Sequence, residues 1–268
     1  MASSPCISVE RISIRRTPPA VVHSLIKLPN NPASLYLSVD LHNLIIYAAP
    51  ASTVYIIDLV DLRNSLHQEH EIALAIKTLL ETSTMIKVFF DARTPAKTLF
   101  DRCNIIFASQ KCTEQSHIHE VQMMEVALRL EDTDREWLAG LDKCIAKDSN
   151  HNIDKLMPLG LGRDVKFDKR ILHLPSLWKK YHDQLADRHV MFYQSFWVAR
   201  IREATQKRLE VSYGKKHLGY DVDSARSGWD KEIIEEATDS WNEVVLMDTN
   251  TGGEWVGGEE HWSQFRKL

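Results

Sequence analysis

The chain has 268 residues, 44% hydrophobic and 26% charged, which suits a globular domain with additions and excludes a fibrous or wholly disordered protein. A net charge of −4 and a pI near 6.3 exclude a global basic field, so any nucleic-acid-binding surface has to be local. No apolar run reaches the roughly 20 residues of a membrane-spanning helix, and Cys6, Cys103, Cys112 and Cys144 lack CxxC or Cys/His spacing. They read as free thiols of an intracellular protein of cytoplasm or nucleus, with no membrane partner.

Residues 1–34 read as a leader without the apolar stretch of a secretory signal, broken by Pro18-Pro19 and Pro29-Asn30-Asn31-Pro32. Three short runs rich in Val and Ile follow, Leu35–Asp40, Leu44–Ala49 and Thr53–Leu59. Their β-branched residues favour strands. Gaps this short force antiparallel hairpins, because a parallel return needs about a dozen residues. From Glu71 to Thr82 the apolar residues Ile72, Ile76, Leu79 and Leu80 take helical spacing. Met85–Phe90 is a continuous apolar strand that can return parallel to the sheet. Pro95 suits the first turn of the next helix, where its missing N–H is no loss, and that helix runs to about Cys103. Ile105–Ala108 reads as a further strand.

Helices dominate beyond this point. The apolar spacing predicts them over Val121–Leu130, Asp134–Ala146, Leu172–Leu185 and Phe192–Val211. The expected architecture is α/β: three antiparallel strands, then parallel strands, in a mixed sheet covered by helices, with a helical C-terminal extension. Domain limits are expected at 35–190 for the main domain and 191–268 for a helical basic segment and an acidic tail. Residues 179–217 hold nine Lys/Arg against four Asp/Glu, and 218–268 hold twelve Asp/Glu against four Lys/Arg with four of the seven tryptophans. Asp230–Val245 reads as one more helix; the default for the tail is a flexible end, with an acidic lid or a docking segment as alternatives.

Basic residues interleaved with aromatics can track a single strand and stack its bases. Arg200, Arg202, Lys207 and Arg208 are candidates for such contacts, set against the simpler reading of a solvated helix face. No P-loop or dinucleotide-binding glycine pattern is present, since Gly160-Leu161-Gly162 is only a GxG. His117-Ile118-His119 has no neighbouring partner ligands in the sequence and reads as a polar loop.

The pieces LYLSVDL, VYIIDLVDL, KVFFDARTPAKTLF, HEVQMMEVALR, WLAGLDKCI, MPL and LHLPSLWKKY, in that order from Leu35 to Tyr181, resemble ribonuclease D-like 3′–5′ exonucleases, and among them a fungal-type branch. The resemblance implies a ribonuclease H-like fold and a site of four acids holding two Mg²⁺ or Mn²⁺ ions that activate water at a phosphodiester. This chain departs from that pattern. In Asp40-Leu41-His42 the first acid is kept and His42 replaces a Glu. Pro95 stands where the second motif has its acid. Counting from Leu174-Pro175 and from Met157-Pro158-Leu159 alike, Lys166 replaces a water-orienting tyrosine and Arg170 the last acid.

One acid of four remains, and a lone Asp at a strand end is more often a turn former than a ligand. The expectation is a nucleic-acid-binding protein of exonuclease lineage, for RNA or single-stranded DNA, impaired or inactive in catalysis and then without a cofactor. A protein-binding role is the companion expectation. Lys166 and Arg170 would suit phosphate. The alternative is an active Mg²⁺- or Mn²⁺-dependent 3′–5′ exonuclease with a site rebuilt around Asp40, His42 and Asp91.

Overall fold

The computed structural model describes residues 7–107, 117–129, 135–149, 167–186, 191–217 and 228–250. Among these, six strands form one sheet: β1 (Ser8–Ile12), β2 (Leu35–Val39), β3 (Asn43–Ala48), β4 (Thr53–Asp58), β5 (Lys87–Phe89) and β6 (Ile118–Glu120). Their order across the sheet is β1-β4-β3-β2-β5-β6. The consecutive hairpins β2–β3 and β3–β4 are antiparallel. β5 then joins β2 in parallel, and β6 joins β5 in parallel. This is the mixed α/β sheet expected of a ribonuclease H-like fold.

The segment read as a leader carries a strand and a helix. β1 pairs in parallel with β4, from Ser8 opposite Thr53 to Ile12 opposite Ile57. Ile7, Ile12 and Ile14 are buried. Its exposed Glu10 and Arg11 break the apolar pattern because β1 is an edge strand. Helix α1 (Pro19–Ile26) opens on Pro19. Helix α2 (Leu59–His67) follows β4 directly, its first turn closed by Asp58, whose carboxylate accepts from the Val60 and Asp61 N–H groups, each at 2.8 Å.

Helix α3 (Glu71–Glu81) buries Ile72, Ile76, Leu79 and Leu80 as its period predicts. Helix α4 (Arg93–Cys103) holds Pro95 in its first turn and ends on Asn104 in the left-handed conformation, φ 51°. Ile105–Phe107 do not form a strand, and Ala108 lies outside the described residues. The parallel strand comes later, at β6. Helix α5 (Val121–Leu128) follows it at once. The helix expected over Asp134–Ala146 begins instead at Leu141, after Gly140, as α6 (Leu141–Asp148). Helices α7 (Leu174–Ala186), α8 (Met191–Ser212) and α9 (Lys231–Asn250) complete the chain order.

Both sheet faces are buried, which is why the central strands read as unbroken apolar runs. Side chains alternate between two cores with period two. Leu35, Leu37, Leu44, Ile46, Ile57 and Phe89 join residues of α1–α4 on one face. Tyr36, Ile45, Ile56 and Val88 join residues of α5, α7 and α8 on the other. Burial at about 25 cal/mol per Å² of apolar surface is the main force holding these layers.

Trp229 and Ile234 are 3% exposed and belong to the second of these cores. The Trp229 ring lies 5.4 Å from Trp197, and Trp241 lies 6.0 Å from Phe196. The backbone N–H groups of Gly228 and Trp229 donate to Glu136 and Arg135 carbonyls at 2.7 and 2.8 Å. This part of the acidic tail therefore packs on the body, contrary to the expectation of a loose end, with Trp229 and Trp241 set against Trp197 and Phe196 of α8.

Candidate functional site

β2, β5 and β6 are parallel, so their carboxyl ends share one edge of the sheet. Asp40 follows β2, Asp91 follows β5, and Glu120 ends β6. The three acids occupy this edge in different ways.

Asp40 closes the β2–β3 hairpin. Its Oδ1 accepts from the backbone N–H groups of His42 at 2.7 Å and Asn43 at 2.6 Å, and the Asn43 side-chain amide donates at 3.2 Å. Only Asp40 to Asn43 span the turn, so the carboxylate is the acceptor that a connection this tight demands. His42 is exposed at its tip.

Asp91 lies between two guanidinium groups. Oδ2 accepts from Arg93 at 2.7 Å, and Oδ1 from the Arg93 backbone at 3.0 Å. Arg208, 3% exposed on α8, approaches Oδ1 at 3.1 Å. Burial alone would raise the Asp91 carboxyl; hydrogen bonds from Arg93 and the charges of Arg208 and Arg93 outweigh it and hold the group well below the ordinary carboxylate range.

Glu120 is 0% exposed. Its Oε1 meets Arg208 at 2.8 Å and the Ala92 N–H at 3.1 Å, and its Oε2 meets the Thr205 hydroxyl at 3.3 Å. Burial pushes its carboxyl up to about 7, while Arg208 pulls the other way. The sequence reading assigned Glu120 no role. An isolated acid ahead of an apolar helix carries no local signal of its partner, which here is 88 residues away.

The remaining candidates fall elsewhere. Pro95 is buried in α4 and offers no ligand atom. Lys166 lies outside the described residues. Arg170 is exposed and held by Asp168 at 2.8 Å and Asp142 at 3.2 Å. Arg200 pairs with Glu203 at 2.6 Å, and Lys207 pairs with the same Glu203. Burial lowers the pKa of Arg202. Arg208 points inward rather than to solvent, so the reading of these four cations as one exposed face fails for it: helical spacing places Arg208 with the buried Ala204 and Thr205.

Asp40, His42 and Asp91 do not make a three-ligand group. Among the described residues, no three or more His, Cys, Asp or Glu side chains converge as metal ligands would. A divalent ion at this edge would have to displace backbone donors from Asp40 and guanidinium from Asp91. Among the described residues, those at this edge do not fit the two-metal chemistry that the motif resemblance implies.

The architecture is similar to solved structures of RNase D from Trypanosoma brucei. The likeness to that protein has a TM-score of 0.52 at 11% identity, over 86% of this chain and 81% of that one. Its GMP complex gives 0.53 at 10% identity over 86% and 71%, and its complex with RNA U12 gives 0.52 at 12% over 86% and 79%. No protein-family model and no curated protein sequence matches. The chain thus has the ribonuclease D-like fold, a ribonuclease H-like mixed sheet under helices. Among the described residues no helix is long and apolar enough to cross a membrane.

Proposed function

We infer that this protein binds nucleic acid through a ribonuclease D-like fold whose 3′–5′ exonuclease chemistry is impaired or lost. The observation that carries the reading is Asp40. It is the one acid kept at the four positions matching the family's metal ligands, and its carboxylate is spent on the backbone of its own turn. Pro95 and Arg170 at two of the other positions supply no anionic oxygen, and two-metal hydrolysis needs several converging on one point.

RNA binding is supported by the likeness to an RNase D seen with RNA U12. The proposed contacts are Lys166 and Arg170, at positions matching the family's third motif, and Arg200, Arg202 and Lys207 on α8; Arg170, Arg200 and Lys207 would meet phosphates at the expense of their present acidic partners. Arg208, buried between two carboxylates, is not among them. Labelled single-stranded RNA and DNA are the test ligands. The expected result is salt-dependent binding, unchanged by EDTA and weakened by joint Arg200→Ala and Lys207→Ala changes. Absence of binding to either nucleic acid at low salt refutes the reading.

A further inference from the structure

One terminal nitrogen of Arg208 has an environment unusual for a guanidinium. Three oxygens surround it: Glu120 Oε1 at 2.8 Å, Gln122 Oε1 at 3.0 Å and Asp91 Oδ1 at 3.1 Å. That nitrogen carries only two hydrogens, so three acceptors exceed what directed hydrogen bonds can serve. Two carboxylates and an amide oxygen converging on one point form the hard donor set that divalent cations take. The other terminal nitrogen meets the Met123 sulfur at 3.1 Å, and Nε is buried with no hydrogen-bond partner.

We propose that Arg208 is a built-in cation, filling an oxygen-lined site formed by Asp91, Glu120 and Gln122 at the carboxyl ends of β5 and β6 and making this edge of the sheet independent of divalent metal. The argument rests on charge and packing. Arg93 and Arg208 balance Asp91 and Glu120, so the cluster is neutral with all four ionised. Glu120 is wholly buried, and without a cation its carboxylate would face Asp91 in a poorly solvated space. Arg208 reaches this point because α8 packs on α4, α5 and β6. It joins the long helix to the sheet edge. Ca²⁺ sits about 2.3–2.6 Å from its oxygens, so the three donors need move only about half an ångström to close on an ion once the guanidinium is gone.

The test uses the full chain, thermal melting and calorimetry with CaCl₂ and MnCl₂, and no nucleic acid, so its outcome is separate from the binding assay above. The native protein is expected to melt at the same temperature in EDTA and in either salt. Arg208→Met in EDTA should lose roughly 10 °C, regain at least half of that with Ca²⁺ or Mn²⁺, and bind one ion per chain. Adding Glu120→Gln to Arg208→Met should relieve the loss in EDTA and abolish the response to the ions. Should Arg208→Met fold only when an ion is supplied, the proposal stands. It is overturned if Arg208→Met fails to fold in all conditions, is as stable as the native chain, or is destabilised without response to ions or to Glu120→Gln. A native protein that binds Mn²⁺ in a manner lost on Asp91→Asn also overturns it.

Discussion

Gly228→Ala should detach the C-terminal packing from the body. A Cβ at this position would lie 2.0 Å from the Arg135 carbonyl oxygen and 3.2 Å from the carbonyl carbons of Arg135 and Glu136. These are backbone atoms, so the clash cannot be relieved by turning a side chain. The chain at 228–229 would have to retreat by about 1 Å or more, beyond the reach of its two hydrogen bonds to Arg135 and Glu136. Two such bonds contribute about 1 kcal/mol each, and withdrawing the Trp229 side chain forfeits about 2 kcal/mol of burial. The sum, about 4 kcal/mol, corresponds to a fall in Tm of roughly 10 °C for a chain of this size. Scanning fluorimetry measures the fall, and red-shifted tryptophan emission reports exposure of Trp229. Gly140→Ala is the control, since its added Cβ meets nothing within 4 Å; its cost should stay below about 1 kcal/mol. A Gly228→Ala protein with native Tm and native emission would refute the account of how the acidic segment docks.

Three further outcomes follow from named contacts. Asp40→Ala should destabilise the protein by about 1–2 kcal/mol in urea melts, because the hairpin N–H groups of His42 and Asn43 lose their acceptor; a change below about 0.3 kcal/mol would contradict the turn role. Tyr213→Phe removes the hydroxyl that accepts from the Phe107 N–H at 2.8 Å and should cost about 1 kcal/mol by the same measurement. The third concerns acid. His119 accepts from the Trp178 indole N–H at 3.1 Å, and burial, with the charges of His182, Arg202 and His117, lowers its pKa to about 3. The unfolded chain therefore takes up the proton first. Stability from His119 is complete above about pH 6.5 and drains away as pH falls toward 3, by about 1.4 kcal/mol at pH 5.5. Glu120, raised to about 7, acts in the opposite sense over part of this window. The comparison that isolates His119 is native protein against His119→Gln: their stability difference should shrink by about 1.4 kcal/mol between pH 7.5 and 5.5, and a constant difference refutes the assignment.

The sequence reveals the central sheet because apolar period and turn chemistry agree there: the three hairpin strands, α3 and α4 lie within a residue or two of their expected limits. β1 and β6 were illegible for physical reasons. β1 is an edge strand with charged outward positions, and β6 is three residues long, with two buried residues and a polar one between them. Helix α2 was hidden because Asp58 both ends a strand and caps a helix. Motif spacing singles out Asp40, Pro95 and Arg170, and the structure adds what spacing cannot carry: the contacts each side chain makes. Asp91 was visible as a strand-end acid but its two arginines were not, since Arg208 arrives from a helix 117 positions later. The cation-rich face expected on α8 is divided between ion pairs with Glu203 and the inward Arg208.

The most direct test of the account is a 3′-end-labelling-independent gel assay on 5′-labelled single-stranded RNA. Purified protein is incubated with Mn²⁺, with Mg²⁺ and with EDTA, alongside Asp40→Ala. The account predicts a retarded complex in native gels under all three conditions and full-length RNA in denaturing gels. A ladder of products shortened from the 3′ end, dependent on metal and absent with Asp40→Ala, would contradict it.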